Sequence, residues 1–173
     1  TGKAPMRETL AAAFLRMCKF DPSQPLIDPM CGSGTFVIEA AEIAVGQAPG
    51  KRRVFSFQKF KSFDSNAFEM LLLDQKIIDK VELHFLGYDR DNGAIKNSIE
   101  NAQSANVSDI TNFNHQPISD LVPLSDQCGL IIFNPPYGSR IGDKKKLYVL
   151  YAKIGTVLKS KFPGWRVGLI TSD

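Results

Sequence analysis

The sequence has 173 residues, 43% hydrophobic and 23% charged, with a net charge of +3. That balance suits one domain with a full core and excludes disordered, low-complexity and repeat architectures; there is no long apolar span either. The opening TGKAPMRETL is too polar for a secretory signal, so a soluble cytoplasmic protein is expected, with no membrane partner. Cys18, Cys31 and Cys128 share no CxxC spacing and His84 and His115 lie far apart, so no metal or redox motif is expected. An odd cysteine count suits a reducing compartment.

In chain order, residues 5 to 19 read as a helix, with Pro5 in its first turn and Leu10, Phe14 and Met17 at helical spacing. DPSQP (21–25) ends it, and LID (26–28) reads as a short strand running into the turn PMCGSG. A helix over 35–45 offers Phe36, Ile38, Ala41 and Ala44 for packing, and Gly46, Pro49 and Gly50 stop it. Residues 51–65 are basic and aromatic and read as an irregular insertion, followed by a helix over 66–80 with Phe68, Leu71, Leu72 and Ile78 on its apolar side. VELHFLGYD (81–89) is strand-like, 90–106 is helical with Ile95 and Ile99 at i and i+4, and DITNFNHQP (109–117) is a weaker strand. CGLIIFN (128–134) is a buried strand, 148–161 a helix with Leu150, Ile154, Val157 and Leu158 inward, and WRVGLIT (165–171) the last strand.

Strands alternating with helices imply an α/β fold with an open, mostly parallel, doubly wound sheet. In such sheets ligands bind beyond the carboxyl ends of the strands, so the residues that follow each strand are the candidates. Four positions result: the loop from Asp28 to Thr35, Asp89, the neighbourhood of Gln116, and Asn134 to Tyr137.

In DPMCGSGTF, Gly32 and Gly34 allow a tight turn and close approach of a ligand to backbone, ahead of a helix start with free N–H groups. A plain strand-to-helix turn would also explain the pair. A dinucleotide fingerprint would need a third glycine where Val37 stands, which argues against a nucleotide-dependent oxidoreductase. Asp28 at the head of the loop would repel a pyrophosphate and suits a cationic ligand without phosphates, such as S-adenosylmethionine. Asp89, 61 residues on, can accept hydrogen bonds from two ribose hydroxyls; the minimal spacing is only about 20 residues, so the basic, aromatic segment is inserted. Its other reading is a helix N-cap, a role that Asp91 can also fill.

Asn134-Pro135-Pro136-Tyr137 ends a buried strand with one amide, two rigid residues and a ring. A base amine is conjugated with its ring and is a poor nucleophile. Two fixed acceptors, the Asn134 side-chain oxygen and the Pro135 carbonyl, would favour the pyramidal nitrogen, and Tyr137 offers a stacking face. A Pro-Pro turn with a packed tyrosine is the alternative. Basic residues gather at 51–53, at Lys59 and Lys61, at 144–146, and at Lys159 and Lys161. Each group alone reads as a solvated surface; together they fit a phosphate-contacting one.

DPMCGSGT, GYDRD and NPPYG resemble the class I, Rossmann-like amino-methyltransferases, which methylate exocyclic base amines or a glutamine amide. KAPMRETLAAAFL and FSFQKFKSFDSNAF resemble the THUMP-associated ribosomal RNA methyltransferases, often labelled adenine-N6 DNA methylases. The resemblance covers nearly all of the chain. It implies S-adenosylmethionine as cofactor and guanine-N2 of 23S, large-subunit ribosomal RNA as target. It implies that Asp28, Pro29, Cys31, Gly32, Ser33, Gly34 and Thr35 wrap the methionine part and ribose, that Asp89 holds the ribose hydroxyls with Arg90 beside the adenine, and that Asn134, Pro135, Pro136 and Tyr137 receive the base, Asn134 also bordering the cofactor. The helix around Arg7 to Thr9 would cover the cofactor. Gln116 stands where the family pattern has an acid that reads the adenine amine, with Asp120 later. The resemblance also implies an upstream THUMP module and two strands beyond the fifth, so residues 1–173 are expected to be a catalytic domain cut from a longer chain. Adenine-N6 methylation of DNA and a non-catalytic RNA-binding fragment are the rival expectations.

Overall fold

The computed structural model of the chain describes residues 6–51, 53–73, 85–124, 126–136 and 144–171, the side chains of 144–146 excepted. Five strands, β1 (Leu26–Asp28), β2 (Phe85–Asp89), β3 (Thr111–His115), β4 (Leu130–Phe133) and β5 (Arg166–Leu169), form one sheet in the order β3-β2-β1-β4-β5. All four pairings are parallel. Among the described residues, five α-helices connect or flank them: α1 (Glu8–Met17), α2 (Thr35–Ala44), α3 (Ser65–Leu73), α4 (Asn92–Ser104) and α5 (Lys144–Lys161). The order of strands reverses between β1 and β4, and the crevice at such a switch point is where open α/β sheets hold ligands.

The central strands β1, β2 and β4 are buried on both faces, as strands of parallel sheets are, whereas the edge strands β3 and β5 expose Asn112, Asn114, Val167 and Leu169. The period-2 alternation of side chains divides the buried residues between two cores. Leu26, Phe85, Leu130 and Ile132 pack with Ala11 and Leu15 of α1, with Phe36, Val37, Ala40 and Ala41 of α2, and with Ile95 of α4. Ile27, Leu86, Tyr88, Ile131 and Phe133 face the other way, against Ile154 and Val157 of α5. Each such fully buried large side chain contributes about 1.5–3 kcal/mol over its exposed state. The register places Leu26 beside both Phe85 and Leu130, so each apolar layer runs across neighbouring strands.

The helices obey their periodicity, with some faces displaced from the sequence reading. In α1 the core residues are Ala11 and Leu15, while Leu10 and Met17 point to solvent. Ala11 is fully buried in the core that α1 shares with α2. In α4 Ile95 is buried but Ile99 is exposed; Ser98 and Ala102 complete the inner face. α3 has no buried residue, and Leu71 lies outward. Pro5, residues 74–80 with Ile78, and the first half of the strand read at 81–89 lie outside the described residues.

Two contacts tie β4 and β5 to the segment after α1. The Leu130 N–H donates to the Pro25 carbonyl at 2.9 Å. Arg166 donates to the carbonyls of Cys18 and Lys19 and to Gln24 Oε1, fixing the exit of α1 against β5. A Cβ at Gly129 would stand 1.9 Å from that same Pro25 oxygen. Gly129→Ala is therefore expected to open the β1–β4 edge and to cost about 2 kcal/mol or more of stability. A urea midpoint equal to wild type would refute this.

Candidate active site

The carboxyl ends of β1, β2, β3 and β4 bring Asp28, Asp89, Gln116 and Asn134 to one edge of the sheet, as expected from the strand ends. The glycine loop lies between β1 and α2. Gly32 (φ +55°) and Gly34 (φ +82°) are both left-handed, which side chains disfavour. They serve different purposes. A Cβ on Gly34 would meet the Phe113 ring at 2.9 Å and Ser98 Cβ at 3.1 Å, so this glycine lets the loop pack on β3 and α4. A Cβ on Gly32 would meet nothing within 4 Å, so its face is open to an approaching ligand.

The loop is held from below at several points. The Gly32 N–H donates to Asp89 Oδ2 at 3.0 Å, and the Cys31 N–H donates to the Tyr88 carbonyl at 2.9 Å. From α4, the Ser98 hydroxyl donates to the Gly32 carbonyl at 2.7 Å and Asn101 Nδ2 donates to the Ser33 carbonyl at 3.0 Å. The Ser33 and Thr35 hydroxyls lie 3.1 Å apart. Ser98, Asn101, Gly87 and Phe113 escape a motif reading because they act through the loop. A signal existed for Ser98: it is the polar member of the inner series Ile95, Ser98, Ala102. Gly87 has its reason here too, since a Cβ there would come within 2.4 Å of the Phe113 ring.

Asp91 is the N-cap of α4, accepting from the N–H groups of Gly93 and Ala94 at 2.8 and 3.3 Å. That relieves Asp89 of the capping role without leaving it idle. Its Oδ1 accepts from the Asp91 N–H at 2.9 Å and its Oδ2 holds the loop. Each oxygen retains a lone pair, and the residue is partly exposed. The Gln116 N–H donates to the Asp89 carbonyl at 2.9 Å, so β3 leaves the sheet alongside β2 with Gln116 half-buried. Arg90 is exposed, and its carbonyl lies 2.9 Å from His115 Nε2.

Asp28 is 2% exposed and accepts from the Met30 N–H at 3.0 Å. Burial pushes its carboxyl up to about 8, the Met30 hydrogen bond opposes this, and the charge of Asp89 adds to it. Burial and then Asp28 raise the Cys31 thiol, so Cys31 is a packed, protonated residue. Beyond β4, Pro135 is buried and Asn134 half-buried. The Asn134 Oδ1 atom itself is buried without a hydrogen-bond partner among the described residues. Such an atom costs about 1–3 kcal/mol, and sites of this kind call for an explanation in function. Tyr137 lies outside the described residues.

The donor set fits S-adenosylmethionine. It offers an open glycine backbone, a carboxylate with free lone pairs at the tip of β2, and a buried carboxyl at Asp28 that no described cation offsets. Among the described residues no group of three or more His, Cys, Asp or Glu could hold a metal, and no helix is long and apolar enough to cross a membrane.

Comparison with known proteins gives the family. The family model of the RMKL-like methyltransferase domain (UPF0020) matches residues 1–173. The chain is 38% identical, over its whole length, to the ribosomal RNA large subunit methyltransferase K/L of Vibrio parahaemolyticus, and 38% identical over 99% of its length to that of Aliivibrio salmonicida. It spans about a quarter of these relatives (26% and 25%). Among solved structures, a possible methylase of Clostridium difficile 630 superposes with a TM-score of 0.89 at 36% identity, covering 97% of this chain and 45% of that one. A predicted N6-adenine-specific DNA methylase of Listeria monocytogenes gives 0.88 at 32%, covering 99% and 45%. The structure of SMU.472 complexed with SAH gives 0.85 at 31%, covering 91% and 42%. With a matching model over every residue and the same parallel sheet beneath it, the chain belongs to the RMKL-like methyltransferase domain family, whose fold is the Rossmann-like α/β type.

Proposed function

We propose that this chain transfers a methyl group from S-adenosylmethionine to the exocyclic amine of a base, namely guanine-N2 of large-subunit ribosomal RNA. The observation that carries the reading is the buried, unpartnered Asn134 Oδ1 beside the rigid Pro135. An acceptor kept dry and unsatisfied is prepared for a donor that arrives with the substrate, and a base amine is such a donor. Asn134 Oδ1 and the Pro135 carbonyl would each take one amine N–H. That arrangement favours pyramidal nitrogen and frees its lone pair from the ring, with little reorganisation because the prolines fix the backbone. Tyr137 would stack on the base, and a base within a duplex would have to be flipped out to reach it.

The cofactor supplies an electrophilic methyl group on a positively charged sulfur. Asp89 would accept its ribose hydroxyls with the lone pairs left over from Gly32 and Asp91, Arg90 would lie beside the adenine, and the Gln116 amide oxygen would accept from the adenine amine. Pro29, Cys31, Gly32, Ser33, Gly34 and Thr35 would line the methionine part, with Asp28 as countercharge once the bound cation has displaced its proton, and the start of α1 as cover. Asn134 would border both ligands.

The RNA target is supported by the names of the ribosomal RNA methyltransferase K/L relatives. The name of the Listeria relative favours adenine-N6 of DNA instead, and Asn134 would serve either amine. Mass spectrometry of nucleosides from total RNA and DNA incubated with the intact protein and labelled cofactor separates them. N2-methylguanosine in ribosomal RNA is expected; label only in DNA adenine would overturn the RNA reading. An upstream THUMP module and a cytoplasmic location belong to the same proposal.

Asn134→Ala should lower methyl transfer by about 10²-fold or more while changing SAH affinity little, and retained turnover would exclude the assigned role. Asp89→Ala should weaken SAH binding by about tenfold through two lost charge-assisted hydrogen bonds; unchanged affinity in calorimetry would count against it. For Asp28, the folded carboxyl titrates near 8 against an ordinary 3.8. The folded chain therefore holds a proton that the unfolded chain has released across that window. The contribution of Asp28 to stability is fully present below about pH 4 and is lost as pH rises toward 8. Asp28→Asn keeps the acceptor for Met30 and cannot ionise, so its urea midpoint should gain on wild type between pH 5 and pH 8. Parallel pH profiles would contradict this.

A further inference from the structure

Between positions 51 and 63 the chain carries five basic residues, four phenylalanines and no acid. This segment is the start of the insertion between α2 and β2, and the cofactor and base-amine residues do not use it. Its rings are organised. Phe55 stacks on Phe57 (centroids 5.3 Å apart, 14° between planes), and Phe57 also meets Phe63 at 5.8 Å and Phe68 of α3 at 5.6 Å. The Phe63 and Phe68 rings lie 5.7 Å apart, closing the cluster. The Arg53 guanidinium lies 5.7 Å from the centre of the Phe55 ring. These contacts explain four of the five rings as a small local core.

They do not explain Phe60. It makes no ring contact among the described residues and is 65% exposed, and Phe57 is itself 40% exposed. Backbone bonds fix the exposed ring in place: the Phe60 N–H donates to the Phe57 carbonyl, and the Phe60 carbonyl accepts from the Phe63 N–H, both at 3.0 Å. Lys59 and Lys61 flank it in sequence, and they, Lys51 and Arg53 are exposed. The nearest acid in sequence, Asp64, is engaged with the Ala67 N–H at the start of α3.

We infer that this segment is a second RNA-contact surface. Phe60 and the open edge of Phe57 are a stacking platform for unpaired bases, and Lys51, Arg53, Lys59 and Lys61 take the adjoining phosphates. The inference rests on the RNA reading above. Charge selects the partner: five basic residues and no acid between 51 and 63 match a polyanion. The exposed ring selects its form, because only unstacked bases offer a free face. None of the segment's residues is among those assigned to the cofactor or the base amine, and α2, ten residues and about 15 Å long, lies between the glycine loop and the insertion in the chain. An RNA that reaches both sites is therefore a tract with a single-stranded portion, beyond the reach of a free nucleotide.

The test measures binding of a labelled 12-nucleotide single-stranded RNA to the intact protein, as wild type, Phe60→Ala and Lys59→Ala/Lys61→Ala, over a salt series. SAH affinity by calorimetry checks the fold of each variant. Phe60→Ala should weaken binding by about tenfold. The double lysine variant should flatten the dependence of log affinity on log salt by about 0.7 per lysine. Wild-type protein that methylates RNA, with variants that bind the 12-mer as tightly and with the same salt slope, would overturn this inference alone. Variants that keep RNA binding but change the sedimentation of the protein would assign the surface to a protein contact and overturn it too. Wild-type protein that neither binds nor methylates RNA would remove the underlying reading.

Discussion

One backbone amide organises the site: the Gly32 N–H, donated to Asp89 Oδ2 at 3.0 Å. It joins the loop after β1 to the tip of β2 and commits one oxygen of the carboxylate to structure while leaving lone pairs for a ligand. The hydrogen bond needs Gly32 in a left-handed conformation, needs Asp91 to cap α4 so that Asp89 is available, and needs β1 and β2 in a register that pairs Asp28 with Gly87. The Ser98 hydroxyl then holds the Gly32 carbonyl from the other side. The peptide groups of Gly32 are thus fixed at both ends, and the open face above them is pre-formed. Pre-formed polar sites spend less free energy on ordering when the ligand arrives.

The same edge of the sheet contains two deviations from what stability alone would select. Asp28 is a carboxyl buried where it titrates near 8, and Asn134 Oδ1 is a buried acceptor without a donor. A core chosen for stability would have neither. They lie at the ends of β1 and β4, the two strands that flank the reversal of strand order. A cationic ligand beside the first and an amine beside the second would relieve both. The proposed pair of ligands, a methyl donor and a base amine, would meet both.

The insertion stands apart from this economy. Its aromatic cluster makes a small core of its own, and α3 buries nothing. None of its described residues joins the two main cores, and its first part, residues 51–63, is basic and aromatic without an acid.

The periodic elements were legible in the sequence because their patterns are local. LID, LIIF and the helical repeat after Asp91 correspond to β1, β4 and α4, and the residues that follow strands come to one edge of the sheet. The motif residues Asp28, Gly32, Gly34, Asp89 and Asn134 were nameable for the same reason: each stands beside its strand in sequence. What sequence could not supply is whatever depends on distant packing. Leu10 and Met17 share a helical spacing with Phe14, yet the approach of α2 makes Ala11 and Leu15 the inner face. Gly87 and Gly129 are ordinary in sequence and become necessary only when Phe113 and the Pro25 carbonyl come against them. Ser98 and Asn101 are distant in sequence from the loop they hold and meet it only after α4 has packed. The sequence determined which chemical groups reach the sheet edge, through strand periodicity and motif order. The tertiary structure decided which of them are dry, held or unpartnered, because burial and hydrogen-bond satisfaction are properties of the packed chain.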